Sequence, residues 1–179
     1  MMKKIIIVMT VVALIVGTGH HVRAETRLPL SLDELETVRN NCVGAQSILY
    51  RIHANDGVLR VNLKRRYDSI ATKLMAPLNS RMTLNRLDAT KLVATTADYE
   101  RELDNFRQLY QSYEETISQA IFFHCKSQPA DFYDIVTGAR DKRMAVDRSV
   151  KQLNSIIRQY AGAVKELEDS LDKRLQERS

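Results

Sequence analysis

Tryptophan is absent from the 179-residue chain, and glycine and proline are scarce, at 6 and 3. A sheet protein needs a turn former every few residues, so this poverty excludes most all-β and mixed architectures and favours long helices. There are only 2 cysteines, with no Cys-x-x-Cys spacing, which removes the usual zinc and dithiol signatures. Also missing are a glycine-rich phosphate loop, a nucleophile elbow, a His-Glu-x-x-His segment and a carboxylate pair in a loop. Glu-x-x-His, the inward ligand pattern of cofactor-binding bundles, does not occur. The sequence therefore gives no reason to expect an enzyme, a cofactor or a metal.

One long hydrophobic run is present. Ile5 to Val16 follows the positive Lys3-Lys4 pair and precedes Val22-Arg23-Ala24. That order reads as a signal peptide over residues 1–24, cleaved after Ala24. The run is short of the roughly 20 residues that a spanning helix needs. An uncleaved membrane anchor is the alternative. The full chain carries +5, from 27 basic and 22 acidic residues. Without Lys3, Lys4 and Arg23, 24 basic residues face 22 acidic ones, leaving +2. The mature chain has no net field that would point to nucleic acid.

What remains is heptad periodicity. From Leu92 the positions Thr96, Tyr99, Leu103, Phe106, Tyr110, Tyr113, Ile117, Ala120 and His124 follow in alternating steps of four and three. This seam predicts one long helix over 86–126, about 60 Å in length, with Asn85 as its N-cap. Pro129 ends what precedes it and suits the start of a following helix. Upstream, Ser31 and Glu34 form a capping box. The seam after it is Leu35, Val38, Cys42, Ala45, Leu49, Ile52, Asp56, Leu59, Leu63, Arg66, Ile70. It keeps its phase through Asp56-Gly57, which argues for one helix over 32–76 despite that turn signal. Pro77 is expected to end or kink it, with a corner over 77–85. A third seam, from Phe132 through Ala139, Arg143, Leu153 and Tyr160 to Leu171, predicts a helix over 129–172 and a fraying tail. Such helices cannot stand alone in water, so the expected fold is all-α: an elongated antiparallel three-helix coiled-coil bundle, one domain over residues 25–179.

Asn41-Cys42, Arg60-Val61-Asn62, the run Leu74-Met75-Ala76-Pro77-Leu78-Asn79, and Tyr99 with Phe106-Arg107 resemble a family of small exported helical proteins from small-genome, candidate-phylum bacteria. The likeness covers roughly residues 40–160, and its motifs are of a helix-packing kind. It implies export and a helical fold. It implies no activity and carries over no functional residue.

The residues that interrupt the seams are the candidate sites. Cys42 and Cys125 are nearly equidistant from the first expected corner, so an antiparallel hairpin brings them together, and a disulfide is expected. Zinc held with His53 or His124 is the weaker reading, because His53 lies three turns from Cys42. Asp56, Arg66, Thr96, His124 and Arg143 are polar at seam positions, which reads as a device fixing register. Reflection through the two corners puts Asp56 and Arg143 in one layer beside Tyr110 and Tyr113, predicting a partly buried ion pair. Phe122 falls opposite the seam. Either the lead-in leucines Leu28, Leu30 and Leu32 cover it, with Phe123 and Phe132, or it contacts a partner. Two functions fit: an exported structural or interaction protein presenting a helical rod to an unknown protein partner, or a bundle holding a small apolar ligand or lipid. Continuous Leu, Ile, Val and Phe layers favour the first.

Overall fold

The computed structural model describes residues 30–177, which are 91% helical with no strand. The signal segment and most of the lead-in, with Leu28, lie outside the described residues. The first helix, α1 (Leu32–Ser69), starts at the capping box. Glu34 donates its amide to Ser31 Oγ, and Glu34 Oε2 accepts the Ser31 amide at 2.8 Å. It passes Gly57 without a break.

Pro77 does not stop this arm. The chain runs from α1 through a π-helical turn, Ile70–Met75, into α2 (Ala76–Leu84). In the π turn an amide reaches back five residues, as the Ala76 amide does to the Ala71 carbonyl. The wider turn gives the proline ring room that a regular α-helix denies it. Pro77 then sits in the first turn of α2, where a missing N–H leaves no gap in the ladder. The arm therefore ends at Leu84 rather than near residue 76, and the corner is 85–89 rather than 77–85. Asn85 caps the wrong helix for the expectation above. It closes α2, its Nδ2 donating to the Arg81 carbonyl at 2.8 Å, and Arg86 follows with φ of 56°.

The central helix α3 spans Thr90–Phe122, inside the expected 86–126. Asp88 Oδ1 accepts the Thr90 amide at 3.0 Å and steadies its start. At the other end Gln46 reaches over from α1. Its Nε2 donates to the carbonyls of Ala120 and Phe123 at 3.2 and 2.8 Å, satisfying terminal acceptors that another turn would otherwise have taken. Phe123 is extended, so His124, the tenth seam position, leaves the helix and is exposed. The other nine seam residues are all buried. The last helix, α4 (Pro129–Gln176), starts at the expected proline and continues past residue 172. Lys173 and Arg174 in its last turn complement the helix dipole.

α3 and α4 form the tightest pair. Ala120 and Ala139 are buried between them, and Gly138 passes beside Thr116, so the two backbones approach closely. α1 lies against this hairpin with bulkier residues in between, Tyr67, Tyr99, Tyr110 and Tyr113 among them. α4 buries Ser149, Ile156 and Ala163 beside the expected row, where Val146, Val150, Ile157 and Val164 are half-buried. A straight helix drifts relative to a strict seven-residue repeat, so α4 meets its two neighbours with two adjacent rows.

Candidate functional site at mid-bundle

The structure brings Cys42 and Cys125 into a disulfide with Cα atoms 5.9 Å apart. Both are buried, packed with Ala120 and Phe132. Neither thiol is free for a metal, and the two histidines of the zinc reading lie elsewhere. His124 is exposed at the corner, and His53 Nε2 donates to Glu114 Oε1 at 2.5 Å. Among the described residues no three metal-ligating side chains come together.

About four turns along α1 from the disulfide lies the polar layer. Asp56 is 9% exposed. Arg143 holds it in a fork, Nε to Oδ2 at 2.7 Å and Nη2 to Oδ1 at 2.9 Å, and the Tyr113 hydroxyl donates to Oδ2 at 2.7 Å. α1, α3 and α4 each supply one member. The burial is one-sided: the Arg143 side chain is 56% exposed against 12% for Asp56. Burial pushes the Asp56 carboxyl up, but the bonds from Arg143 and Tyr113, with the charges of Arg143 and His53, outweigh it and hold the carboxyl below its ordinary value. Tyr113 moves the other way, because burial and the hydrogen bond to the Asp56 carboxylate both favour the neutral phenol.

The heptad pattern places Tyr110 in this layer, as the structure does, but does not single out Arg60 and Glu114 beside it. The Arg60 guanidinium lies over the Tyr110 ring, 4.8 Å from its centroid, and 3.8 Å from Glu114. The Tyr110 hydroxyl is buried, and burial together with the nearby Glu114 charge raises its pKa. A signal was there, since His53 and Glu114 mirror each other through the same midpoint as the two cysteines.

Large aromatics keep α1 off the α3–α4 hairpin and leave a cleft of about 420 Å3. Asp56, Leu59 and Leu63 form one wall, Met144 and Val146 the other, and Phe106, Tyr110 and Tyr113 the floor. This departs from the expectation of unbroken apolar layers. Large side chains made the space here by propping helices apart.

Of the other seam interruptions, Thr96 is buried and satisfied, accepting from Asn79 Nδ2 at 2.8 Å and donating to the Leu92 carbonyl. Arg66 is exposed. The satellite core expected around Phe122 is not formed by the described residues: Phe122 is 81% and Leu32 86% exposed. Phe132 and Phe123 pack instead around the disulfide, because the chain turns away after Phe122.

Fold and layer together define a disulfide-joined, all-α three-helix bundle with a forked ion pair at its centre. Comparison of the chain with protein-family models, with curated proteins and with solved structures finds no match. Among the described residues no helix is long and apolar enough to cross a membrane.

Proposed function

We propose that the protein is an exported interaction protein, a disulfide-stapled helical rod that docks a partner helix along the outer face of α1. One observation carries this reading. Val43, Tyr50, Ala54, Val58 and Val61 are all exposed and recur in steps of seven, four, four and three. At 100° per residue they share one face, opposite the Cys42, Leu49, Asp56 and Leu63 seam. They make a second apolar stripe about 27 Å long. Between Glu36 and Asp68 the only acid is Asp56, which faces inward, whereas Arg39, Arg51, Arg60, Lys64, Arg65 and Arg66 are basic. An amphipathic helix with acidic flanks complements such a stripe. The hydrophobic run at the N-terminus, the resemblance to exported helical proteins and the bonded cysteines support export, since disulfides persist in oxidising compartments. Exposed Phe122 is a second contact point in this reading. The cleft favours another reading, a bundle that holds a small molecule.

A photo-crosslinking residue placed at 43, 50, 58, 61 or 122 in producing cells tests the docking. Adducts at the stripe positions and at 122, absent at exposed Glu100 on α3, with an acidic helical peptide as the partner fragment, are the expected result. Equal adducts at the control position, or adducts only with the chain itself, contradict it.

A further inference from the structure

We propose that the mid-bundle cleft binds a small amphipathic carboxylate, its acid group on Arg140 and its apolar body along the groove. This rests on the second reading above, that the cleft holds a small molecule, and is independent of the docking face. The lining holds two carboxylates and three guanidiniums. Asp56 is taken by Arg143 and Tyr113. Asp147 is taken by Lys151, at 2.6 Å one turn further along α4. Arg143 spends two of its donors on Asp56. Arg60 is anchored over the Tyr110 ring at the opposite rim, its nearest Glu114 oxygen at 3.8 Å. The carboxylates of the lining are thus neutralised and Arg60 is paired with Glu114, while the exposed Arg140 brings positive charge to the mouth. A neutral occupant would leave that charge unused, and a cation would be repelled.

The remaining lining is apolar and has the length of a short chain. From Asp56 to Leu63 the groove follows two turns of α1, about 10 Å. Leu59, Leu63, Phe106, Met144 and Val146 offer aliphatic and aromatic surface along it. Arg140 stands at the Asp56 end and one turn before Met144 on α4, so an acid group there directs a chain toward Val146 and Phe106. A planar guanidinium matches a carboxylate in two parallel hydrogen bonds. The volume falls within the range of small-molecule sites.

Calorimetric titration of the disulfide-bonded protein with decanoate, decanol and decyltrimethylammonium, each below its aggregation concentration, tests this. Decanoate is expected to bind, decanol more weakly and the ammonium not at all. Arg140→Gln should weaken decanoate about tenfold, the worth of one charge-assisted contact, and leave decanol unchanged. Met144→Trp, which fills the groove from an exposed position, should weaken both. Circular dichroism of each variant shows that the bundle is intact. If decanol binds as well as decanoate, or Arg140→Gln leaves decanoate unaffected, the cleft holds apolar molecules and the anion assignment is wrong. If none of the three binds, the small-molecule reading falls with it.

Discussion

Asp56 is nearly out of water while Arg143, its partner, is mostly in it, and this asymmetry governs what each substitution does. Arg143→Ala leaves a buried carboxylate with Tyr113 alone, whereas Asp56→Ala leaves an arginine that water can solvate. Arg143→Ala should therefore cost about 2 kcal/mol and Asp56→Ala about 1, discounted from the full burial penalty because one partner is exposed. Denaturant titration of the two single variants and the double variant checks this, and additive losses would dissolve the pair. The carboxyl also links stability to pH. Its folded pKa lies below the ordinary 3.8, so the unfolded chain takes up the proton more readily. The stabilisation is complete above the unfolded value and is lost as pH falls through the folded one. Between about pH 5 and pH 2, Asp56→Asn should flatten the fall of the thermal midpoint. An unchanged slope would assign acid sensitivity to other carboxylates, such as Asp68, which Lys64 and Arg107 also hold low. The Asp56–Arg143 layer was legible from heptad positions reflected through two corners. Its one-sided exposure was not, because reflection gives the level of a residue in the bundle and not its distance from solvent.

At the scale of elements, the π turn is the feature that heptad reading missed. A proline in a helical pattern signals an end, and nothing in the local sequence says that a π turn absorbs it. The stabilising contacts come from other helices. The Tyr99 hydroxyl donates to the Tyr67 carbonyl at 3.0 Å, just before the turn. The Tyr160 hydroxyl donates to Asn79 Oδ1 at 2.8 Å and reaches the Met75 carbonyl at 3.3 Å, at its other end. Two tyrosines from α3 and α4 thus pin the turn on both sides. Tyr99→Phe and Tyr160→Phe should each cost about 1 kcal/mol, one net hydrogen bond. Amide exchange should quicken over residues 70–76 and stay unchanged at Leu103, which separates a local effect from a global one. Pro77→Ala should leave helicity unchanged, because the π turn already satisfies this stretch. The α3 seam was legible in full up to Ala120. His124 failed because a period predicts a face only while the helix lasts, and Gln46 ends it.

For the molecule as a whole, the tight α3–α4 pair is a hairpin in its own right, and α1 is the arm that it holds less closely. Propped off by tyrosines, α1 is secured by the central ion pair and, at the open end, by Cys42–Cys125. The bridge closes a loop of 83 residue steps. The chain-entropy model gives such a loop about 4.5 kcal/mol. The most direct measurement is the thermal midpoint of the protein with and without reductant, followed by circular dichroism. The structure predicts a midpoint lower by about 10 °C on reduction. Helix content at 25 °C should be little changed, and the double variant Cys42→Ser/Cys125→Ser should melt at the reduced value regardless of reductant. Equal midpoints in both conditions, or two titratable thiols in the untreated protein, would contradict a bundle closed by this staple.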